Sequence, residues 1–180
     1  CTLEKSVVLF ELIETWRPRT IVEIGVFAGR SVIAMALACK HLNHGFVIGI
    51  DPWSVAACLE GTHPAEHQEW WAKIDFDYIA SHYREKIDQF KVNKYASHIQ
   101  QHDRDVAHLF APRSIDMIHF DSNHSPEESE CCVERWFPKL ANGAIIVMDD
   151  IDWKGQQPAV DALINHGVIE LDAFDKYAVY

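Results

Sequence analysis

The stretch TIVEIGVFAGRS, residues 20–31, decides the fold. Its first five residues are mostly β-branched and apolar, which predicts a short strand over Thr20–Ile24. Gly25 and Gly29 then allow a tight turn, and the apolar run from Val32 to His41 predicts a helix. A strand, a glycine turn and a helix in this order are typical of the first unit of a nucleotide-binding α/β domain.

The rest of the chain continues this alternation. Further strands are predicted at 46–50, 97–101, 115–120, 144–148, 168–171 and 177–180, with a turn at 172–175 between the last two, and helices at 3–16, 126–139 and 156–166, with helical patterning at 68–90. We therefore predict an α/β fold, a doubly wound, Rossmann-like, mostly parallel seven-stranded sheet with helices on both faces. Residues 1–180 are expected to form a single domain, with a flap or insertion at 54–96.

Composition excludes several classes of partner. The chain has 180 residues and a formal net charge of −11 without a basic stripe, which disfavours nucleic acid and anionic membranes. No secretory signal is visible, and the five cysteines, two of them adjacent, indicate reduced thiols rather than disulfides. A cytoplasmic location is expected, and the sequence leaves open whether the protein is a homo-oligomer.

Acidic residues cluster where the predicted strands end: Glu23 beside Gly25, then Asp51, Asp121 and the pair Asp149-Asp150. Ligands of such sheets bind at the carboxyl ends of the strands, so these residues predict a ligand site. Asp51 follows Gly29 by 22 residues, about where an acid accepts ribose hydroxyls in this architecture. The alternative is a structural turn followed by an Asp that caps a helix.

Four segments together resemble the class I S-adenosylmethionine-dependent methyltransferases, particularly a bacterial small-molecule O-methyltransferase-like subgroup related to catechol O-methyltransferase-like enzymes. They are IVEIGVFAGRS (21–31), IGIDPW (48–53), IDMIHFDSNH (115–124) and GAIIVMDD (143–150). The likeness extends over roughly residues 20–180. It implies transfer of a methyl group from S-adenosylmethionine to a hydroxyl of a small molecule, such as a sugar or a secondary-metabolite phenol.

The resemblance also implies the cofactor site. Glu23, Gly25 and Gly29 would surround the methionine part and the turn, Asp51 would hold the ribose, and Trp53 would lie near the adenosine. His102-Asp103 occupies the region near the adenine, although a histidine in first place departs from the family pattern. The complete set of expected cofactor-binding residues is Glu23, Gly25, Phe27, Gly29, Ser31, Asp51, Trp53 and Asp103.

A divalent cation is expected at Asp121, Asp149 and Asp150, because these carboxylates follow neighbouring strands and oxygen ligands suit Mg²⁺. They match the metal-ligand positions of the metal-dependent O-methyltransferases that the sequence resembles. The alternative is that Asp149 or Asp150 caps the next turn without an ion, in a metal-independent methyltransferase.

His124 is the expected general base, since it lies three residues after Asp121 and imidazole accepts protons near neutral pH. The alternative is a loop histidine bonded to a carboxylate. His119 is interpreted as a satisfied core residue, and His63 and His67 are interpreted as surface residues. Aromatic residues between 70 and 83 are interpreted as helix packing, or alternatively as a substrate mouth.

Two other functions remain open at this stage. The first is a nicotinamide-dependent oxidoreductase, although the sequence lacks G-x-G-x-x-G. The second is a non-catalytic protein that binds the cofactor.

Overall fold

The chain folds around one seven-stranded sheet, in a computed structural model that describes residues 1–174 and 176–180. The strands are β1 (Thr20–Ile24), β2 (Phe46–Ile50), β3 (Ala96–Ile99), β4 (Ile115–Phe120), β5 (Leu140–Met148), β6 (Asp172–Ala173) and β7 (Ala178–Val179). The helices are α1 (Leu3–Trp16), α2 (Arg30–Leu42), α3 (Val55–Cys58), α4 (Ala65–Trp71), α5 (Phe76–Gln89), α6 (Asp103–Val106), α7 (Pro126–Trp136) and α8 (Gln157–Asn165).

The strand order is β3-β2-β1-β4-β5-β7-β6. The first five strands in this order are parallel, whereas β7 runs antiparallel to β5 and β6 antiparallel to β7. The doubly wound α/β prediction is therefore confirmed, and the sheet is mixed because its closing edge is antiparallel. The chain winds outward from β1 to β3 and then returns to β4 on the other side of β1. The strand order thus switches between β1 and β4, where such sheets form a ligand crevice.

Two predicted elements differ from the structure. The helical patterning at 68–90 belongs to two helices, since Asp75 starts α5 by accepting a hydrogen bond from the amide of Tyr78. The strand predicted at 168–171 is wrong: β6 begins at Asp172, inside the predicted turn. The backbone N–H of Phe174 donates to the carbonyl of Tyr177, and Asp175 of the predicted turn lies outside the described residues.

Successive side chains of the central strands pack alternately into two hydrophobic cores, one on each face of the sheet. Ile21 and Met117 point into a core formed with α1, α2 and α5, whereas Val22 and Ile118 point into a core formed with α7 and α8. Burial on both faces explains why the central strands have continuous apolar sequences.

None of the helices in the described part of the chain is long and apolar enough to cross a membrane. The five cysteines are free thiols in the structure, and Cys39 and Cys132 are buried.

Candidate active site

The glycine turn after β1 lies against the end of β4. Gly25 has φ +89°, and a Cβ atom there would lie 2.0 Å from the carbonyl oxygen of Asp121. Gly29 has φ +75°, and a Cβ there would collide with the ring of Tyr83. Both positions therefore need glycine for conformation and for space. Phe27 also has a positive φ, of 47°, so the turn is left-handed at three of its positions.

Asp51, at the end of β2, holds this turn in shape. Its Oδ2 accepts hydrogen bonds from the backbone amides of Val26 and Phe27, both at 2.8 Å, and its Oδ1 accepts one from Trp53 at 2.6 Å. Burial raises the pKa of Asp51, although these three amides act in the opposite direction. The indole of Trp53 donates back to the carbonyl of Phe27 at 2.8 Å. The acid predicted to bind ribose thus also organises the loop.

Glu23 lies under the turn. It is completely buried and accepts a hydrogen bond from the hydroxyl of Ser31. His119 lies beside it on β4, with Nδ1 3.5 Å from Oε1 of Glu23. His119 is completely buried, as expected for a core residue, but neither ring nitrogen has a hydrogen-bond partner among the described residues, so the side chain is not satisfied as predicted. Burial, and then the charge of Lys5, lower the pKa of His119.

Asp103, expected near the adenine, is engaged by protein groups. Its Oδ2 accepts hydrogen bonds from Arg135 at 2.5 Å and from the indole of Trp136 at 2.9 Å, and Nδ1 of His102 lies 2.8 Å from its Oδ1. Burial opposes ionisation, but His102, Trp136 and Arg135 together hold the pKa of Asp103 well below its usual range. Asp103 therefore ties α6 to α7 at one end of the site.

The three carboxylates predicted to bind a cation do not form one set of ligands. Asp149 accepts a hydrogen bond from the ammonium group of Lys5, and the same Nζ lies 3.7 Å from Oδ2 of Asp121. Asp150 turns away, with φ 51°, toward His124. Because the buried ammonium of Lys5 contacts both Asp121 and Asp149, the three carboxylates do not form the predicted Mg²⁺ site together, although Asp121 and Asp150 each place an oxygen within 4.8 Å of the other and of a ring nitrogen of His124.

The charges of these carboxylates follow from their neighbours. Burial and the proximity of Asp149 raise the pKa of Asp121 well above its usual value. Burial also opposes the ionisation of Asp149, but His119 and Lys5 outweigh it and lower the pKa of Asp149 to about 2. Burial and then Asp149 raise the pKa of Asp150 to about 6.

His124 lies in the loop between β4 and α7, directly before Ser125, which caps α7. Its Nε2 is 3.2 Å from Oδ2 of Asp150 but makes no hydrogen bond with the described residues. Burial lowers the pKa of His124 to about 4, so the imidazole is neutral at pH 7 and can accept a proton. The indole of Trp153 lies between the rings of His124 and His67, with a centroid distance of 4.9 Å to each.

Two adjoining cavities meet at His124. The first extends along the ends of β1 and β2 to α6, and the second opens at the start of α2. The residues that line both include Gly25, Phe27, Asp121, Ser122 and His124. This shared wall lies at the β1–β4 switch in strand order.

The expected site residues distribute over these cavities as follows. The first cavity is lined by Gly25, Phe27, Asp51, Asp103, Asp121 and His124. Gly29, Ser31 and Asp150 line the second. Glu23, Trp53 and Asp149 lie behind the lining of both.

Sequence reasoning missed part of the cavity wall. His63 and His67 were interpreted as surface residues, but both line the first cavity, together with Trp71 and Phe76. Pro64 between them disfavoured a helix that would carry both, and Trp153, which packs against the ring of His67, lies far away in sequence. Lys5 was also missed. It lies four residues before Leu9 and eight before Ile13, which places it on the same buried face of α1.

Known proteins share both the sequence pattern and the fold. A family described as a methyltransferase domain matches residues 22–151. The chain belongs to this methyltransferase family. The matched residues run from β1 to just past Asp150, so they include the glycine turn, Asp51 and His124. The suspected class I S-adenosylmethionine-dependent methyltransferase is thereby confirmed.

Solved structures resemble this methyltransferase over nearly its whole length. The O-methyltransferase NovP is 14% identical with a TM-score of 0.76, and the alignment covers 99% of this chain and 78% of NovP. A putative caffeoyl-CoA O-methyltransferase from Staphylococcus aureus is 14% identical with a TM-score of 0.71, covering 99% and 83%. At such identities the likeness establishes the methyltransferase fold.

A third neighbour was solved with S-adenosylmethionine. It is the O-methyltransferase TomG from Streptomyces achromogenes, involved in tomaymycin synthesis, which is 18% identical with a TM-score of 0.67 and coverage of 99% and 79%. No curated protein is significantly similar to this chain in sequence.

Proposed function

We propose that this methyltransferase transfers the methyl group of S-adenosylmethionine to a hydroxyl of a small molecule, with His124 as the general base. The observation that carries the proposal is the position of His124: a neutral, buried imidazole, without a hydrogen-bond partner among the described residues, on the wall shared by two cavities. The acceptor class is a sugar hydroxyl or a phenol of a secondary metabolite.

The two cavities suit the two substrates. The first cavity is lined by the glycine turn, where a ligand can approach the backbone closely, and by Asp51 at the end of β2. These two features suit the nucleoside part of the cofactor. The second is lined by Trp70, Trp71 and Trp153, which suit the apolar body of an acceptor. The hydroxyl and the methyl group would then meet beside His124 and Asp121.

The chemistry divides between the cofactor and the chain. S-Adenosylmethionine supplies an activated methyl group on a positively charged sulfur. His124 accepts the proton of the acceptor hydroxyl while the hydroxyl oxygen forms a new bond to the methyl carbon. The carbon–sulfur bond breaks, and its electrons stay on sulfur. The walls around Gly25 and Trp153 hold the two reactants in line and exclude water.

The proposed function does not include a divalent cation, because Asp149 is paired with Lys5. The family match favours methyl transfer over nicotinamide chemistry. A non-catalytic cofactor-binding protein differs from the proposal in turnover alone, so the test must include methyl transfer.

The test is to replace His124 with Gln. We expect a loss of kcat of roughly 10²- to 10⁴-fold with unchanged binding of S-adenosylhomocysteine, because a general base contributes about that much to the rate. Turnover is measured by S-adenosylhomocysteine release with a panel of phenols and sugars, and binding by calorimetry. His166→Gln is the matched control, since His166 also lies beside a carboxylate, 3.0 Å from Glu134, but on the far side of α7 and α8.

Two results would contradict the proposal. Full activity of His124→Gln would remove the base from the mechanism. Tight binding of S-adenosylhomocysteine without turnover of any acceptor in the panel would favour the non-catalytic alternative.

A further inference from the structure

Lys5 is a buried lysine on the inner face of α1. It is 2% exposed and shares its stripe with the completely buried Leu9 and Ile13. A lysine is almost never fully buried unless its ammonium is paired, because removing a charge from water is costly. The position of Lys5 therefore needs a compensating partner.

That partner is the pair of carboxylates at the ends of β4 and β5. Nζ of Lys5 donates a hydrogen bond to Asp149 and lies 3.7 Å from Oδ2 of Asp121. The ring of Tyr177 covers another side, with its centroid 5.6 Å from Nζ. The ammonium thus contacts one oxygen of each of the two carboxyl groups that a shared metal ion would also have to contact.

We propose that Lys5 is the built-in cation of this site, placed where Asp121 and Asp149 would otherwise share a divalent ion. In the wild-type protein, Asp121, Asp149 and Asp150 then bind no Mg²⁺ or Mn²⁺. An ion at Asp149 would have to displace a buried hydrogen bond, and an ion on the other side of Asp121 would face a fixed positive charge across one carboxylate.

The positive charge of Lys5 would also repel a divalent ion at a second group of possible ligands. One ligand atom each from Asp121, His124 and Asp150 lies within 4.8 Å of the others, which is compact enough for a metal ion. Asp121 belongs to this group and also faces Lys5. Binding of a divalent ion there is therefore an outcome that would count against the proposal.

Lys5 acts on the site as a positioning residue. Asp121 lines both cavities, whereas Lys5 and Asp149 lie behind it. The ammonium lies 3.7 Å from Oδ2 of Asp121 and acts against the rise of its pKa, while Lys5 itself lines neither cavity. This role rests on the proposed function, but the cation site can be tested without turnover.

The first measurement uses the wild-type protein. It is titrated with MgCl2 or MnCl2 in a calorimeter, its Tm is compared with and without each ion, and its activity is compared with and without EDTA. We expect no saturable binding, no change of Tm and no loss of activity in EDTA. Saturable binding of either ion, or EDTA-sensitive activity that the ion restores, would overturn the proposal.

The second measurement uses Lys5→Ala, which leaves the carboxylates without their cation. We expect this variant to gain what the wild type lacks, namely saturable Mn²⁺ binding and a rise of Tm with Mn²⁺ of roughly 5 °C or more. Lys139→Ala is the control, because Lys139 is also partly buried and donates to a carbonyl at 3.0 Å, but away from the site. A folded Lys5→Ala variant without a Mn²⁺ response would overturn the proposal.

Two further variants keep the proposal testable if Lys5→Ala does not fold. Lys5→Arg keeps the charge and should remain insensitive to Mn²⁺, and the double variant Lys5→Met/Asp149→Asn removes both charges of the pair. If only these fold, the wild-type titration decides. Because none of these measurements uses an acceptor, a failure of the proposed methyl transfer would leave them interpretable.

Discussion

Asp51 illustrates how one residue can serve two purposes. The spacing from Gly29 predicted a ribose ligand, and the structure adds three hydrogen bonds to the backbone amides of Val26, Phe27 and Trp53. Sequence spacing locates such an acid at a strand end, but it does not reveal which amides a folded loop will turn toward it. The role toward ribose stays a prediction.

Replacing Asp51 with Ala tests both purposes together. We expect the affinity for S-adenosylhomocysteine to fall roughly ten- to hundredfold, because about 1–3 kcal/mol is lost when buried donors lose their acceptor. Calorimetric titration measures the change. Asp116→Ala is the matched control, since Asp116 also accepts two backbone hydrogen bonds of 2.9 Å, from Arg19 and Thr20, but at the opposite, amino-terminal ends of β1 and β4. Equal weakening in both variants would show that general destabilisation is the cause.

Lys5 marks the limit of reasoning from single residues. Lys5 lies on the same face of α1 as the buried Leu9 and Ile13, a burial that was not predicted from the sequence. Its partners, Asp121 and Asp149, lie more than a hundred residues away, so only the packing of α1 on the sheet brings them together. The sequence predicted where the carboxylates meet but not which cation they meet.

The elements of the fold were predicted where a local signal was strong. The alternation of strands and helices gave the five parallel strands, and Ser125-Pro126 marked the start of α7 correctly. The prediction failed at β6, because Ile169 and Leu171 are apolar but exposed, so their pattern did not report burial. The register of the closing hairpin is set by pairing with β7, which no local pattern encodes.

The glycine turn is the element whose geometry can be tested most directly. Gly25→Ala should destabilise the fold by several kcal/mol and abolish cofactor binding, since the new Cβ would lie 2.0 Å from a backbone oxygen at the end of β4. Chemical denaturation and calorimetry measure the two effects. Gly143→Ala is the control: it has φ +75°, but a Cβ there meets nothing within 4 Å, so only backbone strain of about 1 kcal/mol is added. Similar losses in both variants would contradict the steric explanation.

At the scale of the whole molecule, α6 and α7 are joined by buried charges. Asp103 accepts from Arg135 and from Trp136, with His102 against its other oxygen, and these neighbours lower its pKa. A carboxyl whose folded pKa lies below its unfolded value stabilises the protein above the unfolded pKa. That contribution is lost as the pH falls toward the folded pKa.

We therefore expect Asp103→Asn to reduce the free energy of unfolding by about 2 kcal/mol at neutral pH, through the loss of a buried charged hydrogen bond. The difference from wild type should shrink as the pH falls from about 5 toward the folded pKa, because the wild-type carboxyl becomes protonated there. Urea denaturation at a series of pH values measures it. A difference that stays constant over this pH range would mean that the charge of Asp103 is not the cause.

The path of the chain between β2 and β3 has a consequence for how this protein could diversify. Of the residues that line the second cavity, His67, Trp70 and Trp71 all come from this one excursion, whereas Asp121 and His124 come from other parts of the chain. Exchange of the gene segment that encodes this excursion would therefore replace much of the surface proposed to bind the acceptor and leave the proposed general base, His124, in place. New specificities can arise in this architecture by recombination, without rebuilding the catalytic centre.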